Sequence, residues 1–427
     1  METMDAVTVT LLGALIGMAV AIALILMRVN PTYSMMLGAL VGGLLGGAGL
    51  GGTVTLMLGG VRNVVNAILR IVAAGTLAGV LADSGAAETI SDAIIKAFGK
   101  KYSILALIIC GWILCVAGIF GDVVILTIAP IGLDMAYKLK YSRRSIIVCL
   151  IGGVMAGVCC GPIANTIAVA ETFEVPLTSV MLAGIIPSVA GVAATVACAL
   201  FAAKRGEIIT SQIEGREIDK KELPSLMGSF AGPIVTILLL LLRPICNITI
   251  DPIIAMPIGA VVGALAMKRW KNIRGYVEYG LNKMSGVVML LIGTGCLAGI
   301  ISNSNIQSVV VSAIETLGLP SFVLAPISGV LLGAATASAS AGATVASQIF
   351  GQAILASGTG AIGAAAMVNT GAIMLAGLPH GSFFHVSAGS VQMDLKERLK
   401  VIPYEAVIGG VMVIAATIFL GIFGLFG

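Results

Sequence analysis

The 427-residue chain is poor in charged and aromatic residues. Asp, Glu, Lys and Arg together make up 10% of it, and Phe, Trp and Tyr make up 5%. In soluble globular domains about a quarter of the residues are charged, so this composition excludes an ordinary soluble protein. The chain also lacks a P-loop and a Rossmann glycine fingerprint, and ATP-driven work by this chain alone is therefore not expected.

The eight cysteines form no metal-binding pattern. Nearly all of them fall inside apolar segments, and none has a metal-ligand spacing with a histidine. A buried cysteine behaves as a small hydrophobic residue. We therefore predict no metal site and no cofactor, and with a net charge of only +4 we predict no nucleic-acid partner.

Hydrophobic residues make up 58% of the chain, and apolar stretches of about 20 residues recur along it. A stretch of that length is enough to cross the hydrocarbon core of a bilayer, which predicts an integral membrane protein in contact with lipid. The first stretch, 7–27, is too long and unbroken for a cleaved signal peptide, and no small-residue cleavage site follows it. We predict that it is a retained span.

The second half of the sequence resembles the first about 220 residues later. Residues 75–84 read GTLAGVLADS and residues 295–304 read GCLAGIISNS, and seven identities occur over the twenty positions that pair 75–94 with 295–314. In an apolar membrane chain, two related halves are typical of transporters that work by alternating access.

Basic residues orient the spans, because cytoplasmic loops carry an excess of Lys and Arg. We place on the cytoplasmic side the clusters 100–101, 138–144, 204–205, 216–221, 268–274 and 396–400. The connections between them contain no Lys or Arg, and these lie at 171–178, 247–251, 303–320 and 357–360. Clusters and gaps alternate as expected for a chain that crosses the membrane repeatedly.

This charge pattern predicts two inverted-topology repeats, 1–203 and 226–427, joined by a charged cytoplasmic linker at 204–225. Each repeat contains five crossings and one re-entrant helical hairpin, and the odd number of crossings forces the second repeat to run in the opposite orientation. In the first repeat we predict spans at 7–27, 31–50, 64–82 and 177–202, an amphipathic segment at 86–99, a hairpin at 103–138 and a broken helix at 145–175. In the second we predict spans at 226–248, 251–267, 285–302 and 405–426, a hairpin at 320–355 and a broken helix at 360–395.

Each repeat offers two interrupted helices at matching places. The hairpins turn at 118–122 and 336–344, and the later helices break at 160–166 and 377–385. Non-helical backbone at membrane depth is tolerated only inside protein or beside water, so these four segments are expected to line one cavity. Helix N-termini carry free N–H groups and a partial positive charge, which suits a carboxylate.

The candidate site residues come from these four segments. For substrate binding we predict Gly121, Gly161, Pro162, Asn165, Thr166, Ser338, Ser340, Thr344, His380, Ser382 and His385. Asp122, at a hairpin tip, is the candidate for ion coupling, because a carboxylate in a membrane is costly unless it is paired, ion-bound or protonated. His380 is a second candidate, because histidine titrates near neutrality. Arg70 and Arg243 are expected to snorkel to the membrane interface.

In these motifs the chain resembles the gluconate permease family (GntP) of the ion transporter superfamily. The resemblance rests on residues 79–87, on Phe120-Gly121-Asp122-Val123 with Ala129-Pro130-Ile131, on Gly161-Pro162, on 338–344 and on 378–384. It implies a carrier in the bacterial inner membrane that takes up gluconate-like sugar acids or hydroxycarboxylates by symport with H+. It also implies an elevator mechanism, with the hairpins and broken helices as the moving part, and by analogy with such carriers a homodimer.

Other functions remain open at the level of sequence. The coupling ion is H+ or Na+, and a cation/proton antiporter with Asp122 as the exchanged site is a second carrier-type hypothesis. An intramembrane hydrolase would use Ser382 with His380 or His385. No acidic residue is evident to orient the histidine, and the two-half symmetry would have no explanation, so we predict a transporter and not an enzyme.

Overall fold

The structure is a computed structural model that describes residues 8–27, 29–99, 102–203, 205–209, 223–246, 250–304, 320–379 and 381–426. These residues form helices joined by turns, and no β-strand occurs among them. Two isolated β-bridges join Val9 to Ser304 and Ser142 to Ile208. The predicted all-α class is confirmed. Part of the second segment of the sequence match, 305–314, lies outside the described residues.

The helices are numbered here in chain order. In the first half they are α1 (Leu11–Leu26), α2 (Pro31–Leu45), α3 (Gly49–Asp83), α4 (Ala86–Phe98), α5 (Ser103–Val116), α6 (Gly121–Leu139), α7 (Arg143–Cys160), α8 (Ala164–Thr172) and α9 (Leu177–Ala202). In the second half they are α10 (Leu226–Cys246), α11 (Pro252–Ala266), α12 (Ile273–Ser302), α13 (Leu324–Thr336), α14 (Ala339–Ala356), α15 (Ala361–Met374), α16 (Ser382–Ser390), α17 (Leu395–Leu399) and α18 (Ile402–Ala416).

Several helical segments are long and apolar enough to cross a membrane. They are Gly49–Asp83, Arg143–Thr172, Leu177–Ala202, Trp270–Ser302 and Leu395–Ile422, and shorter apolar helices accompany them. The chain is therefore a multi-pass membrane protein in its composition and helix lengths.

Two predicted spans are parts of longer helices. The span expected at 64–82 belongs to the 35-residue helix α3, and the span expected at 285–302 belongs to the 30-residue helix α12. Both predicted spans begin after polar residues, but a helix satisfies its own backbone and continues through them. The span expected at 31–50 is too long, because the chain turns after Leu45 through Gly47 and Gly49, which have φ of +88° and +66°.

The helices of the two halves pack in matching pairs. α1 packs on α2 and α10 on α11; α5 packs on α7 and α13 on α15; α7 packs on α9 and α15 on α18. Contacts between the halves are reciprocal as well, since α3 packs on α11 and α12 on α2, while α8 packs on α14 and α16 on α6. Helices of each half therefore pack directly against helices of the other half.

Glycines allow α3 and α12 to approach closely, backbone against backbone. A Cβ built on Gly79 would lie 2.1 Å from the Tyr276 carbonyl oxygen, and one built on Gly280 would lie 1.9 Å from the Gly75 carbonyl oxygen. Small residues at helix contacts are how membrane helices pack tightly without a hydrophobic driving force between them. The α3–α12 pair forms the long central contact between the halves.

Two predicted cytoplasmic clusters lie together at one end of the molecule. Arg144, in the first turn of α7, donates a hydrogen bond to Glu397 in α17 at 2.7 Å. The backbone N–H of Arg143 donates to the Glu207 carbonyl at 2.9 Å. The clusters 138–144 and 396–400 and the segment after α9 therefore share one end. This agrees with their assignment to a single side of the membrane.

Candidate functional site

A cavity of about 260 Å³ lies where the four interrupted helices meet. Its lining includes residues of both hairpin tips, of the first break and of the flanks of the second break, together with residues of α7, α12 and α18. Among the lining residues are Asp122, Asn165, Lys283, Ser338, Ser340, Gly377, Phe383 and Glu405. Segments far apart in sequence thus share one polar pocket.

The interruptions place four helix N-termini at this cavity. α6 begins at Gly121, α8 at Ala164, α14 at Ala339 and α16 at Ser382, and residues of the first turn of each line the pocket. No side chain caps α6, α8 or α16, whereas the hydroxyl of Ser338 accepts a hydrogen bond from the Ala341 N–H at 3.3 Å. Free first-turn N–H groups and the helix dipoles favour an anion in the cavity.

A pair of asparagines joins the broken helices of the two halves. Asn165 Nδ2 donates to Asn369 Oδ1 at 2.6 Å and to the Val158 carbonyl at 3.3 Å, while Asn369 Nδ2 donates to the Cys159 carbonyl at 3.3 Å. The two side chains therefore satisfy carbonyls of the last turns of α7 before its break. Asn165 is 1% exposed and Asn369 is fully buried, so the bridge fixes the breaks relative to each other.

Asp122 and Lys283 face each other at the cavity. Asp122 is in the first turn of α6, and Lys283 comes from the middle of α12, with 4.0 Å between Asp122 Oδ2 and Lys283 Nζ. At that separation the two groups form an ion pair at the outer limit of distance, and they are too far apart for a hydrogen bond. Both side chains are more than one-third exposed, which means that solvent or a ligand can reach them.

Glu405 of α18 lines the cavity but is already neutralised. Its partner Arg398 has no exposed side-chain surface, bonds Glu405 through Nη1, and donates from Nε to Ser387 Oγ at 3.0 Å. The guanidinium also stacks over the ring of Phe384, with 4.7 Å from Cζ to the ring centroid. This buried ion pair ties α18 to the second broken helix.

Two glycines in the second break leave room for its neighbours. A Cβ on Gly377 would lie 2.0 Å from Glu405 Oε2, and one on Gly381 would lie 2.3 Å from the Ala337 carbonyl oxygen. Ala337 itself sits at the second hairpin tip in the left-handed region, with φ of +46°. The break and the tip therefore touch through backbone atoms.

The structure brings some predicted site residues to the cavity and not others. Gly121, Asp122, Asn165, Ser338 and Ser340 line it. His380 lies outside the described residues, and for Ser382 only the backbone is described. The remaining predicted residues are not among those that line it, namely Gly161, Pro162, Thr166, Thr344 and His385.

Those remaining residues have other contacts. A Cβ on Gly161 would lie 2.3 Å from the Cys115 carbonyl oxygen, so Gly161 packs against α5. Thr166 is buried, with its hydroxyl 3.5 Å from the Val158 carbonyl. His385 is exposed and places Nε2 3.0 Å from the Pro379 carbonyl.

Pro162 and Thr344 lie near the breaks without lining the cavity. Pro162 is next to Gly118 in the first tip, with 3.8 Å from its Cγ to a Cβ built on that glycine. Thr344 is buried one turn into α14, and its hydroxyl has no hydrogen-bond partner among the atoms that the structure describes.

Arg70 has two acidic partners. Its guanidinium pairs with Glu171 at the end of α8 and donates from Nη2 to Asp251 Oδ2 at 2.7 Å. Both acids fall in the connections 171–178 and 247–251 between predicted spans, and the position of Arg70 at the membrane interface stays a prediction. Asp251 is also the N-cap of α11, accepting from the Ile253 N–H at 2.9 Å. The side chain of Arg243 lies outside the described residues.

Lys283, Glu405 and Arg398 were not predicted as site residues. The sequence could have indicated Lys283, because it comes less than one helical turn before the apolar stretch 285–302 and can belong to the same helix. The signal for Arg398 and Glu405 was weaker, because Arg398 falls in a basic cluster and Glu405 near a predicted helix start. Their pairing across seven residues depends on the turn between α17 and α18.

An apolar, all-helical chain with two helical hairpins and two interrupted helices around a polar cavity is a membrane transporter. The family model described as GntP family permease matches residues 9–423. The chain belongs to the GntP permease family, and the family resemblance drawn from its motifs is confirmed. The prediction that it is a transporter and not an enzyme is confirmed too.

Relatives of the chain carry transporter names. It is 46% identical over 416 residues to an uncharacterized transporter of Haemophilus influenzae, covering 97% of this chain and 99% of that protein. It is 23% identical over 320 residues to the Gnt-II system L-idonate transporter of Escherichia coli, covering 68% of this chain and 72% of that protein.

A solved structure has a similar fold. The YdaH transporter of Alcanivorax borkumensis superposes with a TM-score of 0.68 at 14% sequence identity, over 90% of this chain and 91% of that one. At this level of identity the likeness concerns the fold alone.

Proposed function

We propose that this transporter takes up a small organic acid anion, of the gluconate-like sugar acid or hydroxycarboxylate class, by symport with H+. The observation that carries the proposal is the meeting of four helix N-termini at one cavity of about 260 Å³. Positive helix ends bind a carboxylate, while a hydroxyl group such as that of Ser340 suits a hydroxylated substrate. The name of the L-idonate relative supports the same substrate class.

Asp122 is the proposed coupling residue. Its carboxylate lies at the cavity beside Lys283, in the first turn of α6. Protonation of Asp122 would offset the negative charge that the substrate brings, so that proton and anion cross together. Na+ in place of H+ is the alternative coupling ion, with Asp122 as a ligand.

The reciprocal contacts of the two halves support two inverted repeats, 1–203 and 226–427, and an elevator mechanism. In this mechanism α5–α8 and α13–α16 move as a transport body with the bound substrate. The helices α1–α3 and α10–α12 form a static scaffold. We also propose that the protein works in the cytoplasmic membrane as a homodimer.

A proteoliposome uptake screen tests the function. Sugar acids, hydroxycarboxylates and dicarboxylates are offered with the pH gradient and the sodium gradient imposed separately. We expect accumulation of a sugar acid or hydroxycarboxylate that follows the inward proton gradient and not the sodium gradient. Uptake driven only by sodium would replace H+ with Na+, and no uptake of any organic acid would refute the proposal.

The Asp122→Asn variant tests the coupling role. We expect it to insert normally but to lose accumulation against a gradient, because its side chain cannot carry a proton. Asp92→Asn is the matched control, since Asp92 in α4 pairs with Lys96 away from the cavity. Normal proton-driven accumulation by the Asp122 variant would remove Asp122 from the mechanism.

The antiporter hypothesis makes a different prediction for the same vesicles. An antiporter would move protons in response to sodium alone, with no organic acid present. A carrier of organic acids should be stabilised against thermal unfolding by its carboxylate substrate and not by sodium chloride alone.

A further inference from the structure

Lys283 is the one cationic side chain among the described residues that line the cavity. It is placed there by the 30-residue helix α12, on the same face as Tyr279 and Val287, one turn before and after it. A lysine inside a membrane-crossing helix is costly unless it faces water, an acid or a ligand. Lys283 lines the cavity and faces Asp122, and this position points to a function.

We propose that Lys283 binds the carboxylate of the transported anion and that Asp122 is its counter-ion when the site is empty. This assignment rests on the proposed function and deepens it. The 4.0 Å between Lys283 Nζ and Asp122 Oδ2 leaves the ammonium free to turn its three donors toward a ligand. A lysine is a compact charge on a flexible stem, which suits a monodentate contact with one carboxylate.

The charge balance of the cavity sets what it accepts. Of the two acids that line it, Glu405 is neutralised by the buried Arg398, which leaves the pair of Lys283 and Asp122. When Asp122 is protonated, one positive charge remains and one carboxylate restores neutrality. The site therefore favours a monocarboxylate, because the second charge of a dicarboxylate would meet no second cationic side chain among the described residues of the lining.

Two further ionisable groups among the described residues are Tyr279 and Cys115. The Tyr279 ring lies 5.7 Å from Lys283 Nζ and is within electrostatic range of Asp122, Asp83 and Glu88. Cys115 is within electrostatic range of Asp122 and is fully buried. Proton and anion are linked through Lys283: the anion competes with ionised Asp122 for the same ammonium group.

Binding measurements on the purified full-length protein test this assignment, with gluconate, L-idonate and lactate as the probes and the neutral polyol sorbitol as the control. Lys283→Gln should weaken binding of the monocarboxylate at least tenfold, whereas Lys283→Arg should remain within a fewfold of wild type. Lys271→Gln is the matched control, because Lys271 lies just before α12 on the exposed surface. Equal affinity in Lys283→Gln and wild type would overturn the proposal and leave the proposed function standing.

For the Asp122→Asn variant we expect the opposite change in affinity. Without the competing carboxylate, this variant should bind the monocarboxylate more tightly than wild type at pH 8 and lose the dependence of affinity on pH. Unchanged affinity and pH dependence would overturn the role of Asp122 as counter-ion. If the wild type binds none of the three probes, the proposed function fails, and this assignment fails with it.

Chemical labelling of the unmodified protein gives a readout that does not depend on a variant folding. Lys283 is 37% exposed, so an amine-reactive reagent can reach it. Saturating monocarboxylate should slow its acetylation at least fivefold, as followed by mass spectrometry, and should leave Lys271 unaffected. Labelling of Lys283 that the substrate does not slow would contradict the contact.

Discussion

Individual charged residues in this apolar chain lie where their charge is compensated. Arg398 pairs with Glu405, Arg70 pairs with Glu171 and Asp251, and Lys283 faces Asp122 across a cavity. The pairs differ in burial, from Arg398 with no exposed surface to Lys283 with more than a third. The Arg398–Glu405 pair is closed to a ligand, whereas the Lys283–Asp122 pair is open to the cavity where the four helix N-termini meet.

The buried pair gives a stability prediction. Glu405→Gln leaves the Arg398 charge without its counter-ion, and breaking a buried ion pair in this way costs about 3–5 kcal/mol. We expect a clear fall in the melting temperature of the purified protein. The control Glu278→Gln removes the partner of the exposed Arg274 and should change stability far less.

The double variant Glu405→Leu with Arg398→Met checks the cause. Removing both charges should recover part of the lost stability, because no unpaired ion remains. A melting temperature of Glu405→Gln equal to that of wild type, or a double variant worse than the single one, would contradict the explanation.

A second prediction at this scale concerns Gly381. Gly381→Ala places a Cβ 2.3 Å from the Ala337 carbonyl oxygen and must push the second break away from the second hairpin tip. We expect uptake to fall at least tenfold, because helix ends in the cavity act only at close range. Gly389→Ala, where the added Cβ meets no atom within 4 Å, should transport normally. Equal uptake by the two variants would show that the contact is not needed.

Among the helices, the pairing of α3 with α12 depends on backbone contact. Each carries glycines at the positions where the other approaches, so any side chain there would separate the two axes. Arg70 lies on α3 and Lys283 lies on α12, so separation of the two helices would displace both side chains.

Gly79→Leu tests this helix pair. Its Cβ would lie 2.1 Å from the Tyr276 carbonyl oxygen, and overpacking of this kind costs about 1–3 kcal/mol. We expect a lower melting temperature than for wild type. Gly59→Leu in the same helix and Gly286→Leu in α12 are controls, because a Cβ at either position meets nothing within 4 Å. A loss of stability that is the same at all three sites would point to helix propensity instead of packing.

At the scale of the whole molecule, the two acids that contact Arg70 belong to different parts of the proposed elevator. Arg70 on α3 and Asp251 before α11 belong to the proposed scaffold, whereas Glu171 ends α8 in the proposed transport body. The Arg70–Glu171 contact must therefore break in each transport cycle, and the Arg70–Asp251 contact need not.

Cross-linking tests which of these two contacts must break for uptake to occur. In a background without the eight native cysteines, the pairs Arg70→Cys/Glu171→Cys and Arg70→Cys/Asp251→Cys are joined by the same reducible bifunctional reagent. We expect the first cross-link to stop uptake, a reducing agent to restore it, and the second to leave uptake unchanged. Full transport with the first pair cross-linked would refute relative motion of these bodies.

Much of the helical order could be predicted from the sequence, because hydrophobic length and breaks at Gly and Pro are local properties. The hairpin α5–α6 lies close to its predicted bounds, and α7 ends at Cys160 within the predicted break. The lengths of α3 and α12 could not be predicted in this way, because their polar residues are compensated by partners far along the chain. Candidate residues at the tips reached the cavity, while Gly161 and Thr166 pack against the last turns of helices beside it.

The amino-acid sequence alone determined that this chain is apolar enough to cross a membrane several times and that it belongs to a family of permeases. Apolar length and helix-breaking residues act over a few turns and are readable from the order of residues. The tertiary structure decided which charges are neutralised and which face the cavity. Lys283 and Asp122 are 161 residues apart in the chain and 4.0 Å apart in space, and only the packing of α6 beside α12 brings them together.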